Sequence, residues 1–245
     1  MTSSTGVIGL ALGRVAASGV EQLGEIEVVT DRRHAEEISP RMTELLASAD
    51  IKLTDLDRLV VDFGPGRFTG LRVGLATMRA LGFALKLPII GLSSLSILAA
   101  GQSGNADGAA DSAGLVTAVI DARRSEVFQQ TFRDGQPVGE PQVGDPSVVA
   151  AAAISPGSSE AAAEAAVGGI VVGDGVDRYL DEYQKVAEQN GLVLIEGQVP
   201  KASAMLELSR NQPGVPGTEI QPLYLREPDA KPNIKTRVGA GGSQQ

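Results

Sequence analysis

The segment from Val60 to Gly74 contains the residues whose types and spacing could do chemistry. An apolar strand end leads into Gly64, Pro65, Gly66 and Gly70, and a helical pattern follows directly. A glycine-rich turn at a helix start can bind an anion, because main-chain N–H groups point outward there and the helix dipole favours negative charge. The pattern therefore predicts either an anion site or a tight, ligand-free turn from strand to helix.

Two known phosphate-binding patterns do not fit this turn. A P-loop requires lysine and then serine or threonine after its last glycine, whereas Leu71 and Arg72 follow Gly70. A dinucleotide-binding turn requires a third glycine where Thr69 stands, and a carboxylate about 20 residues further on. Residues 82–91 contain no carboxylate, so the P-loop is rejected for this turn and the dinucleotide-binding pattern is matched only weakly.

The amino-acid composition excludes several further kinds of functional site. The chain has no cysteine, which excludes disulfides, thiolate metal sites and cysteine nucleophiles. It has one histidine, His34, so a paired-histidine metal site is excluded as well. His34 lies in a charged helix entrance, and we expect it to be solvated or to cap the helix. No intrinsic cofactor or metal is predicted.

The amino-acid composition indicates a globular, acidic protein. The 245 residues are 42% hydrophobic, enough for one large core or two modest ones. No stretch is long enough to cross a membrane, and the N-terminus lacks the basic and apolar regions of a leader, so we expect a cytoplasmic location without a membrane partner. The formal charge of −9 disfavours tight binding to nucleic acid by the chain alone.

The first hundred residues have the periodicities of an α/β lobe. Two β-patterned stretches come first, then a helix, a strand, a long helix that Thr69 could cap, and a further strand. The predicted bounds are 7–12 and 25–29 for the first strands, 36–49 for the helix, and then 59–62, 69–85 and 88–92. This order fits an α/β fold better than an all-helical or sandwich fold.

The second half is predicted to form another lobe. A polar, alanine- and glycine-rich linker precedes a strand pair at 115–120 and 126–132, and a helix at 179–190 ends at Gly191. Asp121 to Glu126 is expected to be a hairpin loop, Asp174 a turn residue at a strand end, and Tyr224 and Arg226 anchors of a returning C-terminal segment. The predicted division is 1–100, a linker at 101–114, a second lobe with the returning segment at 115–227, and a disordered tail at 228–245.

The helix after the glycine turn is apolar on two faces. One face carries Leu71, Gly74, Leu75, Met78, Leu81, Gly82 and Leu85, and the opposite face carries Val73, Ala76, Ala80, Phe83 and Ala84. Only Arg72 and Arg79 interrupt this pattern. One sheet can cover only one face, so the second must meet either the 36–49 helix or another chain, and small alanines would allow a close approach.

Several segments together resemble the TsaB (YeaZ) family, bacterial components of the machinery that makes threonylcarbamoyladenosine in tRNA. The resemblance rests on residues 64–74 and 87–95, and continues through 34–40, 120–128, 172–175 and 222–226. It implies a two-lobed actin-like ATPase (ASKHA) fold. Family members usually open with a strand that ends in Asp-Thr, whereas this chain opens Met1-Thr2-Ser3-Ser4-Thr5. We therefore expect that the first strand is truncated, that stability is marginal, and that an added upstream strand would raise the melting temperature.

The resemblance also implies a function and a set of partners. The chain would be a non-catalytic scaffold that binds and activates a TsaD-like catalytic subunit, with a TsaE-like ATPase as a further partner and tRNA bound only through the complex. ATP and metal would belong to the partner, and a homodimer could use the same surface. The expected interface comprises Arg72, Val73, Ala76, Arg79, Ala80 and Phe83, beside the glycine loop of Gly64, Pro65, Gly66, Phe68, Thr69 and Gly70. The alternative is an ATPase or sugar-type kinase of the same fold, without the first-strand aspartate.

Overall fold

The chain begins with a long antiparallel hairpin. The computed structural model describes residues 1–16, 18–30, 33–102, 114–153 and 169–226. Strands β1 (Val7–Ala16) and β2 (Gly19–Val29) pair along their whole length, with a register shift between Leu12 and Gly13. The predicted break across 13–24 is wrong. Gly13 lies within β1, and the side chain of Leu206 occupies the space that a Cβ there would need.

A parallel strand pair and its crossover helix follow the hairpin. Their elements are α1 (His34–Ser48), a 3₁₀ turn (Leu53–Asp55), β3 (Leu59–Asp62), α2 (Phe68–Leu85), β4 (Ile89–Leu92) and α3 (Ser94–Ala100). β3 and β4 are parallel, with Leu59 opposite Ile89. β3, α2 and β4 begin and end within one or two residues of their predicted bounds. Helix α3 was not predicted from the sequence.

The second half forms a five-stranded sheet. Its elements are β5 (Leu115–Arg123), β6 (Glu126–Arg133), β7 (Gln136–Gly144), α4 (Pro146–Ala153), β8 (Ile170–Val172), α5 (Asp174–Arg178), α6 (Leu180–Asn190), β9 (Val193–Ile195) and α7 (Ala202–Leu208). The strand order is β7-β6-β5-β8-β9. β7 was missed because prolines interrupt its pattern, and it can contain them because it is an edge strand.

The C-terminal segment returns to the first half, as predicted. Helix α7 packs on β1 and β2, the N–H of Leu223 donates to the carbonyl of Phe63 at 2.8 Å, and Val215 pairs with Ile89. Helix α3 packs on β5 and α7 and so joins the two halves. Most of the predicted linker and the whole predicted tail lie outside the described residues, so the division into lobes stays a prediction.

Candidate partner interface

Helix α2 has one buried face and one exposed face. Gly70, Leu71, Gly74, Leu75, Met78 and Gly82 are buried. Residues on the opposite side are open to solvent: Phe68, Thr69, Arg72, Ala76, Ala80, Phe83 and Ala84 are all exposed, and the exposed fraction of Phe83 is 88%. We call the set Phe68, Arg72, Ala76, Ala80 and Phe83 the α2 stripe. A solvent-exposed phenylalanine beside small residues is typical of a surface that another chain covers.

Helix α1 covers only the flank of this surface. Val73, a predicted interface residue, is half-buried and packs against the first core, as Met42 and Leu46 of α1 also do. Arg79 is also half-buried, and its main chain lies against Gly217 of the returning segment. Ala76 and Ala80 receive no such cover. The intramolecular explanation of the second apolar face therefore accounts for Val73 and leaves the α2 stripe exposed.

A stacked cluster lies at the N-terminal end of the α2 stripe. The guanidinium of Arg72 lies 3.7 Å from the centroid of the Phe68 ring, and its Nε donates to the hydroxyl of Tyr224 at 2.7 Å. The Phe68 and Tyr224 rings are 5.7 Å apart between centroids. The cluster fixes the orientation of Arg72 and adds Tyr224 to this surface. Sequence reasoning placed Tyr224 as an anchor and missed its place here, because it lies 152 residues from Arg72.

The glycine loop packs against the start of the chain. A Cβ on Gly66 would lie 2.3 Å from the carbonyl oxygen of Ser4, and a Cβ on Gly70 would lie 2.3 Å from that of Ser3. The N–H of Arg67, at the N-cap of α2, donates to the Ser4 carbonyl at 2.6 Å. These glycines therefore permit close approach of main chain, and the N–H of Arg67 is used internally instead of facing an anion. This favours the ligand-free turn.

Two predictions about the entrances of α1 and α2 are wrong. Helix α2 begins at Phe68, so Thr69 is its second residue and does not cap it. His34 is buried, with only 3% of its surface exposed, where we expected a solvated or capping side chain. It packs against Gly70, where a Cβ would lie 2.9 Å from its Nε2. The contact is possible because Gly70 has no side chain, and the sequence around His34 does not reveal it.

A carboxyl group lies at or just after the end of a parallel strand in each half, and Asp62 is buried while Asp174 is half-buried. Asp62, at the end of β3, accepts hydrogen bonds from the Gly64 N–H at 2.8 Å and from the Ser94 hydroxyl, and burial raises its pKa. Asp174, after β8, accepts from the Asp121 N–H at 3.0 Å. Burial raises the pKa of Asp174 to about 6, the Asp121 and Asp177 carboxylates add to the rise, and Arg67 opposes it. Asp174 begins α5 and is not only a turn residue.

The predicted structural roles of the 121–126 loop and of Arg226 are both found in the structure. Arg123, Arg124 and Ser125 form the turn of the β5–β6 hairpin, which confirms the hairpin loop. Arg226 pairs with Glu126 and donates to the Ala122 carbonyl at 3.0 Å, which confirms its anchoring role.

Across the described ranges, no three His, Cys, Asp or Glu side chains come together as a possible metal ligand set. Nor does any helix within those ranges have the length and apolar character needed to cross a bilayer.

Comparisons with known proteins agree with the resemblance. A family model described as "TsaD: tRNA N6-adenosine threonylcarbamoyltransferase" matches residues 24–172. The "tRNA threonylcarbamoyladenosine biosynthesis protein TsaB" of Escherichia coli is 29% identical over 202 residues, which cover 80% of this chain and 81% of that protein. The chain belongs to the TsaB (YeaZ) family. A solved structure of YeaZ from Pseudomonas aeruginosa superposes with a TM-score of 0.70 at 26% identity, over 91% of this chain and 97% of that one.

The YeaZ likeness confirms the α/β, two-lobed actin-like ATPase fold that was predicted for a TsaB-family chain. An uncharacterized protein of Mycobacterium leprae is 32% identical over 235 residues, which are 93% of this chain. The match covers only 55% of the length of that relative.

Proposed function

We propose that this chain is a non-catalytic subunit in the synthesis of threonylcarbamoyladenosine in tRNA, which binds and activates a TsaD-like catalytic subunit. Its relative in Escherichia coli is named for that pathway. The observation that carries the proposal is the α2 stripe, an exposed apolar surface on the helix that links β3 and β4. ATP, metal and the transferred group would be held by the partner, and a TsaE-like ATPase would join the same complex.

The chemistry of the α2 stripe fits a protein partner. Phe68, Phe83 and Tyr224 supply aromatic area, and Ala76 and Ala80 allow another helix to approach closely. Arg72 is held between two rings, which lowers the entropy it loses on binding. The net charge of −9 supports tRNA binding through the complex and not by this chain alone. Without its partner, the same surface would support a homodimer.

The direct test is co-elution with the cognate TsaD-like subunit. Ala76→Glu and Ala80→Glu each place a charge in the centre of the proposed contact, and we expect both to abolish the complex and the activation of threonylcarbamoyl transfer. Gln189→Glu on the exposed side of α6 adds the same charge elsewhere and should change neither. Circular dichroism would establish that each variant is folded. Undiminished co-elution of the folded Ala76→Glu and Ala80→Glu proteins would reject the α2 stripe as the interface.

ATP turnover separates this proposal from the alternative. We expect the purified chain alone to hydrolyse no ATP, and the mixture with the TsaD-like subunit to carry out the transfer. Turnover by the chain alone, with a sugar or with water as acceptor, would favour an ATPase or sugar-type kinase of the same fold and would overturn the scaffold role.

A further inference from the structure

The guanidinium of Arg72 is held in a fixed orientation, and part of its hydrogen-bonding capacity is unused. Its Nε donates to the hydroxyl of Tyr224 at 2.7 Å, and the group lies 3.7 Å from the centroid of the Phe68 ring. Within the described residues, its two terminal nitrogens make no hydrogen bond. Those two nitrogens match the two oxygens of a carboxylate. Arg72 is therefore arranged to bind an anion that approaches from solvent.

No carboxylate among the described residues neutralises Arg72. Arg41 of the neighbouring helix α1 shows the contrast, because it contacts Glu37 at 3.2 Å and Glu44 at 2.8 Å. Helix α2 contains no aspartate or glutamate, and Arg72 is the one charged member of the α2 stripe. A chain with a formal charge of −9 thus displays an unneutralised cation on an exposed apolar surface.

Covering the α2 stripe is unfavourable for this cation unless the covering chain supplies a negative charge. Association removes water from the guanidinium, and a buried charge without a partner opposes binding. A purely apolar helix would leave Arg72 unpaired. A second copy packed with α2 against α2 would do the same, since that helix has no carboxylate. RNA phosphate is a poorer match, because RNA-binding surfaces gather several cations and the α2 stripe has one.

We infer that the helix docking on the α2 stripe carries an aspartate or glutamate, and that this carboxylate forms a bidentate ion pair with Arg72. Tyr224 is a positioning residue for the contact, because its hydroxyl holds Nε and leaves the terminal nitrogens for the partner. The inference rests on the proposed function, since it names the chemistry of the TsaD-like surface that this chain recognises. The ion pair supplies specificity, because a helix with an apolar or basic residue at that place is rejected.

Titration calorimetry with the TsaD-like subunit, in the absence of tRNA, tests the ion pair. We expect Arg72→Gln to weaken binding about 30-fold or more, and Arg72→Lys, which keeps the charge but loses the planar fork, to weaken it less. Lys185→Gln removes the same charge from an exposed position of α6 and should change the affinity less than about twofold. Wild-type affinity of Arg72→Gln, or equal losses for the two Arg72 variants, would overturn the inference.

Ala76→Glu separates a failure of this inference from a failure of the proposed function. If Ala76→Glu abolishes binding and Arg72→Gln leaves it unchanged, the α2 stripe stands as the interface and the ion pair is wrong. If neither substitution alters binding, both the interface and the ion pair are wrong. Circular dichroism would establish that each variant is folded.

Tyr224→Phe tests the positioning role through a double-mutant cycle. Loss of the hydroxyl should weaken binding about 3- to 10-fold in the wild-type chain and cause no further loss in the Arg72→Gln chain. Equal losses in both backgrounds would show that Tyr224 acts independently of Arg72 and would overturn its positioning role.

Carbodiimide cross-linking identifies the group that faces position 72. The reagent joins an amine to a carboxylate in contact with it, and takes up the water that is lost as the amide forms. In the complex of the Arg72→Lys chain, mass spectrometry should find an amide between the substituted side chain and one aspartate or glutamate of the TsaD-like subunit. The Arg72→Gln complex is the control and should show none.

A complex of the Arg72→Lys chain without this cross-link would overturn the inference. If Arg72→Gln does not fold, the cross-link decides alone. Loss of tRNA binding by the assembled complex, with unchanged affinity between the subunits, would assign Arg72 to RNA phosphate and would also overturn the inference.

Discussion

At the scale of single residues, the proposed partner surface depends on side chains that the rest of the chain positions. Arg72 is exposed, yet its guanidinium is stacked on Phe68 and its Nε is bonded to Tyr224. Gly66 and Gly70 leave room for the main chain of Ser3 and Ser4, so the start of α2 depends on residues far away in sequence. Substitutions at these positions separate effects on packing from effects on binding.

Gly66→Ala should destabilise the protein by steric conflict alone. Its Cβ would lie 2.3 Å from the Ser4 carbonyl oxygen, so the N-terminal segment has to move, at a cost of about 1–3 kcal/mol. Gly101→Ala is the matched control, since its Cβ would lie 3.4 Å from the carbonyl oxygen of Leu98, at a helix end with φ of −60°. Thermal melts should show a drop of several degrees for Gly66→Ala only, and equal melting temperatures would contradict the packing role.

Asp174→Asn should raise stability at neutral pH and have little effect in acid. Burial raises the folded-state pKa of Asp174 to about 6, above the ordinary aspartate value of 3.8, so the native state holds the proton more firmly than the unfolded chain. The contribution of Asp174 is therefore fully present below about pH 4 and is lost as the pH rises through about 6. Asparagine removes this loss, which is at most about 3 kcal/mol.

Denaturant unfolding at pH 4.5 and pH 7.5 would measure this effect of the Asp174 substitution. The gain from Asp174→Asn should be clear at the higher pH and small at the lower one. Asp181→Asn, at an exposed position of α6, serves as the control and should change the free energy of unfolding little at either pH. A gain of equal size at both pH values would show that titration of Asp174 is not its cause.

At the scale of elements, α2 is stabilised by one buried face and leaves the other exposed, where we propose that a partner binds. Its buried face packs in the first core with Ile8, Val61 and Ile89. Val73 packs against the first core, whereas Ala76 and Ala80 are exposed. Most of the α2 stripe can therefore be changed with little effect on folding.

Phe83→Ala tests this separation of folding from binding. With 88% of its surface exposed, Phe83 makes few contacts within the chain, so we expect the melting temperature to change by less than about 1 °C. Affinity for the TsaD-like subunit should fall about 10- to 100-fold in a titration calorimetry experiment. Val148→Ala, at an exposed valine of α4, should alter neither. A large loss of stability, or unchanged affinity, would contradict the proposed surface.

At the scale of the whole molecule, α3 and the returning C-terminal segment connect the two halves of the chain. Helix α7 comes from the end of the chain but packs on the first hairpin, and Leu223 bonds to Phe63. The formal charge of −9 acts at this scale too, because it sets the long-range interaction with polyanions.

The chain alone should not bind tRNA at physiological salt. Its net negative charge repels the phosphate backbone, so a gel-shift titration should show no complex up to about 10 μM protein. Adding the chain to a mixture of the TsaD-like subunit and tRNA should give a slower-migrating species, with the TsaD-like subunit and tRNA as the control. Salt-sensitive binding by the isolated chain would contradict the assignment of tRNA contact to the complex.

The sequence by itself determined the α/β class, the β3–α2–β4 unit and the two apolar faces of α2, because these follow from the periodicity of neighbouring residues. The family was also recognisable from ordered local segments. Only the tertiary structure decided that His34 is buried against Gly70, that Tyr224 holds Arg72, and that Asp174 titrates near pH 6. Those outcomes depend on contacts between residues far apart in the chain and on exclusion of water, which no local pattern encodes.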